Sequence, residues 1–373
     1  MFLQSCSGCR ASSSRQALAR VLILADDLTG AADCAAAFLG RSRRVCVLLD
    51  AAVRVDADVV ARDLDTRARP EKSARNAVRR AFRAREAKNA AILFKKIDST
   101  LRGHVAAELA SAIGAIGARR PVLFAPAFPA QRRIVREARL QVPGSARSGD
   151  LRALVARAGL PATHVDLDSV RAPRLSESLR DAIDTGARGL IFDAESDADL
   201  NAIARAGLKL RPRPLFVGSA GLACALARTQ PPKRAARRPV AVPRPVVTVV
   251  GSASPVSVRQ ARLLGRDRSS ILVQMAWTRE PEMRDLPAVR RLGRLVAQAA
   301  PRVHYVLTGG ETARAVLRAR NIRELRLLGE VEPGVPFGMA RDGTLVCTKA
   351  GGFGTPDTLL RCVARLKREM KRT

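Results

Sequence analysis

The chain has 373 residues, enough for two domains at roughly 100–200 residues each. Apolar residues make up 47% and aromatic ones 3%, which excludes a disordered chain and leaves a core of Ala, Val, Leu and Ile. There are 66 Lys and Arg against 34 Asp and Glu, a formal net charge of +32.

That charge suits polyanion binding. The basic residues are dispersed, however, with only small clusters at Arg132-Arg133 and at Lys233, Arg234, Arg237 and Arg238. The sequence has no zinc-finger spacing, no heptad-bearing basic region and no RNA-binding aromatic motif. A single-strand platform needs aromatics for stacking. The charge therefore reads as solvated helix faces, with no specific nucleic-acid partner and only weak, salt-sensitive polyanion contact. The seven cysteines are scattered and odd in number, as expected of reduced thiols in a cytoplasmic protein. Cys6 and Cys9 form a lone C-x-x-C pair without the further ligands a metal site requires. No run reaches the ~18 apolar residues of a membrane helix, so no membrane partner is expected.

Residues 1–19 are rich in Ser and Arg and read as a leader without fixed structure. The first strand is Val21-Leu22-Ile23-Leu24, followed by Asp26-Asp27 and a helix from Gly30 to Phe38. Further strands are Val45–Leu49, Val59–Ala61 and Ala91–Lys96, with a charged helix over Ala74–Ala87 and another from Val105. Val122–Ala125, Ile191–Asp193 and Leu215–Val217 continue the series. Residues 130–165 carry no readable period. The Pro-, Arg- and Lys-rich stretch 230–245 reads as a linker. It divides a first domain, 20–229, from a second, 246–373. The second has strands at Val246–Val250, Tyr305–Leu307 and Leu345–Cys347. Strands alternating with helices predict an α/β fold of two domains, each a mainly parallel sheet flanked by helices.

Ligands collect at the carboxyl ends of parallel strands, so the loops there carry the argument. The first reads Asp26-Asp27-Leu28-Thr29-Gly30, ending a turn later at Asp33. Adjacent carboxylates resist burial unless a cation or hydroxyl meets them. A second loop reads Lys95-Lys96-Ile97-Asp98-Ser99-Thr100-Leu101-Arg102-Gly103. Cations and hydroxyls at a helix start suit a carboxylate or phosphate, and Asp98 beside them is a candidate general base. Asp27 is the alternative base, and Lys96 completes the candidate catalytic set. Three Gly- or Ser-rich loops follow in the second half. They are Gly251-Ser252-Ala253-Ser254, Thr308-Gly309-Gly310-Glu311-Thr312 and Lys349-Ala350-Gly351-Gly352. Glycine lets backbone approach a phosphate, and helix starts offer free N–H groups. None fits the P-loop or the dinucleotide fingerprint. A fourth loop, Gly218-Ser219-Ala220-Gly221-Leu222, reads equally as structural or as cleft-lining.

The strings ADDLTGAAD, KKIDSTLRG, APAFP, VGSAGLA, VGSASPVS, LTGGETARAVL, EPGVPFG and TKAGGFGTPD stand in this order. Together they resemble the four-carbon acid sugar kinase family, which includes D-threonate, D-erythronate and 3-oxo-tetronate kinases. The resemblance implies an N-terminal sugar-acid domain, a C-terminal ATP domain, Mg2+, a 4-phosphate product and an active site in the interdomain cleft. Its substrate motifs fall on Asp26, Asp27, Arg67, Lys96, Ile97, Asp98 and Ser99, beside Arg102. Its ATP motifs fall on Ser252, Ser254, Gly309 to Thr312, Gly351 and Gly352, beside Thr308 and Lys349. Arg67 is the expected fork for the substrate carboxylate. Where the family has a Gly-Arg and a glycine pair after APAFP, this chain has Gln131-Arg132-Arg133 and Arg136-Glu137, and the following segment is short. The competing reading is a non-catalytic member that binds ligand or nucleic acid. The sequence assigns no metal ligands, and a homodimer is compatible with such a chain.

Overall fold

Strands whose residues are buried on both faces read as continuous apolar runs, and here they form one sheet. The structure, a computed structural model, describes residues 20–371 apart from 43, 118–119, 145–148, 238, 268–269 and 278–284. The leader, the Cys6–Cys9 pair and Arg238 lie outside the described residues.

In the first half the chain runs β1 (Val21–Ala25), α1 (Leu28–Ala36), β2 (Val45–Leu48), β3 (Val59–Asp63), α2 (Glu71–Arg83), α3 (Arg85–Asn89), β4 (Ile92–Lys96), α4 (Val105–Ile116) and β5 (Val122–Ala125). It continues through β6 (Ile134–Arg136), β7 (Arg139–Gln141), β8 (Gly149–Asp150), α5 (Leu151–Arg157), β9 (Ala162–Val165), α6 (Leu167–Arg171), α7 (Leu175–Asp184), β10 (Gly189–Phe192), α8 (Asp197–Lys209), β11 (Leu215–Gly218) and α9 (Ala220–Arg228). The second half has β12 (Val246–Val250), α10 (Pro255–Leu264), β13 (Ile271–Gln274), α11 (Leu286–Ala299), β14 (His304–Thr308) and α12 (Gly310–Ala319). It ends with β15 (Glu324–Glu330), β16 (Pro336–Met339), β17 (Leu345–Lys349) and α13 (Thr358–Met370).

The mainly parallel α/β character is as expected, but the two halves share one fourteen-stranded sheet. Its order is β13-β12-β14-β17-β16-β15-β2-β3-β1-β4-β11-β5-β10-β9. Within this sheet, antiparallel pairing among the described residues is confined to β17–β16, β16–β15 and β15–β2. The first residues of β15 pair with β2, and its later ones pair with β16 across a register irregularity between Leu327 and Gly329.

Local chemistry explains the elements near the cleft. Asp27 caps α1 by accepting the Gly30 N–H at 3.1 Å. Ala74, Val78 and Phe82 give α2 one buried face. The single helix expected over Ala74–Ala87 is two helices, because Ala84 is extended (φ −62°, ψ 148°). The unread stretch 130–165 holds a three-stranded antiparallel sheet, β6-β7-β8, then α5 and β9.

Successive strand side chains point to opposite faces, and this separates the two lysines ending β4. Lys95 is buried against α4, where its Nζ lies 2.7 Å from the buried Glu108 Oε2. Lys96 points to the α1 face. Of the two lysines, Lys96 is the one whose charge acts on Asp98. Removing one partner of a buried pair strands the other charge. Glu108→Gln should therefore lose about 3–5 kcal/mol in urea denaturation. A loss below about 1 kcal/mol, the surface-pair range, would show that the pair is solvated.

Candidate active site

The ends of β1, β3 and β4 are neighbours in the sheet, which brings Asp26, Asp27, Arg67 and Asp98 together. Arg67 is the centre of the group. Its Nε donates to Asp26 Oδ2 at 2.7 Å, and one terminal nitrogen donates to Asp27 Oδ1 at 2.8 Å. The same nitrogen lies 3.4 Å from Asp98 Oδ1. Gly103, at φ +83°, passes so close that a Cβ would stand 3.3 Å from Arg67 Cγ. Arg102 grips Asp98 with two bonds of 2.9 and 2.8 Å. Thr100 and the Arg102 backbone add three further donors to Asp98. Thr29 Oγ1 donates to Asp27 Oδ2 at 2.7 Å. Lys96 Nζ stands 4.0 Å from Asp26 Oδ1, a buried oxygen with no hydrogen bond.

Electrostatics follow from this geometry. Burial raises Asp98, but the Arg102 hydrogen bonds and the charges of Arg67, Arg102 and Lys96 win and hold it well below the usual carboxylate range. Asp27 is also lowered: Arg67, Lys96 and the Thr29 bond outweigh its burial. Burial works against the charged forms of Arg67 and Lys96, yet the surrounding aspartates raise both.

Of the remaining predicted residues, Ile97 is buried and its N–H bonds Gly218 O, tying β4 to β11. Ser99 Oγ accepts from Arg133, a residue that sequence reasoning did not assign to the site. The signal was its place after APAFP, one residue past Arg132, which adopts φ 54°. Asp33 was noticed but given no role, and it faces the same region from α1. The fourth loop is structural: Ser219 caps α9 and donates to Ala127 O, and Gly218 and Gly221 pack on carbonyls of the β5 end.

In the second half the three predicted loops converge. A Cβ on Gly351 would strike Ser252 Oγ, and one on Gly251 would strike Thr312 Oγ1. Ser252 Oγ accepts the Ser254 N–H at 3.2 Å. A Cβ on Gly352 would reach only Ser254 Oγ, 4.0 Å away. Gly309 takes φ +87° before α12, and Thr308 Oγ1 is buried without a hydrogen bond. Glu311 pairs with Arg290 at 3.2 Å. Lys349 turns inward, where Nζ donates to Ser257 Oγ and to the carbonyls of Ala350, Gly351 and Phe353 at 3.0–3.1 Å. Burial pulls its pKa down to about 8. Trp277 Nε1 donates to Gly251 O at 3.2 Å, setting an aromatic ring beside these loops.

The two sets of loops meet. A Cβ on Gly310 would lie 3.1 Å from Asp27 Oδ2 and 3.4 Å from Thr29 Oγ1. Beside this contact, Arg314 of α12 bridges to Asp63 and, at 3.1 Å, to Asp65.

Removing Arg67 would leave Asp26, Asp27 and Asp98 facing one another. In the wild type, the lowered pKa values of Asp27 and Asp98 give stability that is present above the unfolded value near ~3.9 and lost as pH falls through the folded values. Without Arg67 those pKa values rise, and the deficit grows as pH rises. Arg67→Met should cost about 3–5 kcal/mol in urea denaturation at pH 8 and clearly less at pH 4.5. Equal deficits at both pH values would contradict this charge balance.

The comparisons agree with the layout. A sugar-binding N-terminal domain model matches residues 21–226, and a nucleotide-binding C-terminal domain model matches residues 282–359. The chain is 37% identical to a D-threonate kinase of Cupriavidus necator, over 91% of this chain and 96% of that protein. It is 32% identical to the Bordetella bronchiseptica D-threonate kinase, over 92% and 97%. A 3-oxo-tetronate kinase of Cupriavidus necator is 31% identical over 46% of this chain and 50% of that one. Haemophilus influenzae protein HI1011 shares the fold with a TM-score of 0.72 at 18% identity, covering 92% of this chain and 99% of its own. Among the described residues, no helix is long and apolar enough to cross a membrane. With both domain models matched in order and kinase relatives aligned along nine-tenths of its length, the chain belongs to the four-carbon acid sugar kinase family.

Proposed function

We propose that this chain transfers the terminal phosphate of ATP to the terminal hydroxyl of a four-carbon sugar acid, giving the 4-phosphate, with D-threonate the first candidate. The observation that carries the reading is the contact between halves. The charged aspartate–arginine group of the first half abuts the Gly309-Gly310 turn of the second. Phosphoryl transfer needs that juxtaposition of a positioned hydroxyl and a phosphate cradle. The names of the relatives agree, since D-threonate kinases match over 91–92% of the chain.

On this reading Asp26, Asp27 and Asp98 shape the substrate side of the cleft, and Arg67 holds those aspartates in place. Arg67 differs here from the part expected of it. Its fork already serves Asp26 and Asp27, and the fork of Arg102 serves Asp98, so the substrate carboxylate falls to Arg133, which lies beside Ser99 and whose buried Nε makes no hydrogen bond. Lys96 supplies positive charge near the transferring group, and Ile97 fixes the loop. On the nucleotide side, N–H groups at the start of α12 and around Ser252, Ser254, Gly351 and Gly352 receive phosphates. Thr308 and Thr312 line the same turn, while Glu311 is braced by Arg290. Lys349 keeps its loop folded by binding the loop's carbonyls. Mg2+ needs only one or two protein carboxylates beyond phosphate oxygens, and the unbonded Asp26 Oδ1 fits that need. It would neutralise charge on the phosphates.

The test is a coupled ADP-release screen over threonates, erythronates and 3-oxo-tetronates with Mg2+. ADP release that depends on one of these acids is expected. No release with any of them, together with a salt-dependent DNA shift, would favour the non-catalytic reading. A side chain on Gly310 would enter the space beside Asp27 where the phosphate and hydroxyl must meet. Gly310→Val should cut kcat/KM by at least about 10²-fold, the cost of a small misplacement of reacting groups. Its circular dichroism should stay unchanged. Retained turnover would place the reacting centre elsewhere.

A further inference from the structure

Four aspartates approach the cleft from the first half, and three are committed. Asp98 accepts from Thr100 N, Thr100 Oγ1, Arg102 N and two Arg102 side-chain nitrogens. A carboxylate offers about four lone-pair sites, so Asp98 has no room for a substrate proton. Both Asp27 oxygens accept bonds, from Gly30 N and Arg67 on one side and Thr29 on the other. Asp26 is clamped by Arg67, and its other oxygen is buried.

Asp33 differs. Among the described residues it makes no hydrogen bond or ion pair, and it is only partly buried. Gly30 and Asp33 stand three residues apart on α1 and share one face, with the cap residue Asp27 at its start. Lys96 lies over that face, since a Cβ on Gly30 would stand 2.6 Å from Lys96 Nζ. The second half closes from the other side. A Cβ on Gly334 would lie 3.6 Å from Asp33 Oδ1, and Phe353 packs on that glycine. Phe353 continues to Phe128 of the first half, with ring centroids 6.5 Å apart. Asp33 thus sits where the halves meet, beside the ammonium that would attend the transferring phosphate.

We propose that Asp33 is the general base that takes the proton from the acceptor hydroxyl, an inference that rests on the kinase reading above. The hydroxyl proton passes to the Asp33 carboxylate as the oxygen bonds the γ-phosphorus. The bond from that phosphorus to the bridging oxygen breaks, ADP keeps the electron pair, and Asp33 later returns the proton to solvent. The groups facing Asp33 are Lys96 from β4, Arg133 from the segment after β5, Glu330 from β15, Cys224 from α9, and Asp27 and Cys34 at its own helix. Burial is the largest influence, with Glu330 and Asp27 adding to it against Lys96 and Arg133. Together they raise its pKa to about 7, where a base works best near neutral pH.

The experiment measures kcat against pH with both substrates saturating, for wild type and Asp33→Asn. A base must be deprotonated, so wild-type kcat should rise with pH through about 7 and then level. Asp33→Asn should lower kcat about 10²–10⁴-fold and lose that limb. Calorimetry should show ATP and the sugar acid still binding. Wild-type kcat that is flat from pH 5.5 to 8 would overturn the proposal without any variant. So would a folded Asp33→Asn enzyme that keeps the limb or near-normal kcat. Wild-type protein that releases no ADP with any four-carbon acid would instead defeat the kinase reading, so the two failures are separable.

Discussion

Three carboxylates within reach of one guanidinium are the constraint on which the site depends. Asp26, Asp27 and Asp98 come from two strand ends, and none can be buried as an anion unless a cation meets it. Arg67 meets all three. Its position in turn demands that β1 lie between β3 and β4, so that the three strand ends are adjacent. It demands a glycine at 103, where any side chain would press on the Arg67 stem. Replacing such a network by apolar residues is often harmless to stability. Its retention here therefore points to what the charges do for a ligand.

The strands were legible because buried parallel strands are apolar throughout, and the site loops because charge and glycine gather where such strands end. What was illegible follows equally from physics. β9 and β13 lie at the two sheet edges and are largely exposed, so their apolar signal is diluted. Which of Lys95 and Lys96 faces the site depends on which side of the sheet α1 covers, and that is a tertiary fact. The same applies to Lys349, whose burial turns its amine away from the cleft and onto loop carbonyls. Arg67 entered the expected site only through the family resemblance, and it lies against Asp26, Asp27 and Asp98. Its partners came from other strands and could not be read from neighbouring residues.

The departures from the family's glycine pattern are absorbed locally. Arg132, Glu137 and Ala138 take φ of 54°, 52° and 57°, the left-handed region that glycine favours. Such residues cost of order 1–3 kcal/mol each and persist only where surroundings hold them. Asp193 holds two of them, accepting the N–H groups of Glu137 and Ala138 at 2.8 and 2.9 Å. Arg132 is followed by the Arg133 that reaches Ser99. Three non-glycine residues thus hold left-handed backbone in this segment, and the path leads directly into the arginine that meets Ser99.

One sheet shared by both halves changes how the cleft can open. The chain crosses between halves in the stretch after α9, and the sheet crosses again through the β2–β15 pairing. Two separate domains on a single linker could swing freely, but a continuous sheet resists that. The register irregularity between Leu327 and Gly329 already interrupts the ladder in β15. Parting Gly310 from Asp27 to admit a substrate therefore means flexing β15 and lengthening the Arg314 bridges to Asp63 and Asp65. Arg314 lies one turn into the helix that begins at the Gly309-Gly310 loop. The groups that would position the phosphate and the bridge that holds the halves together are thus parts of one rigid element, and closure sets both at once.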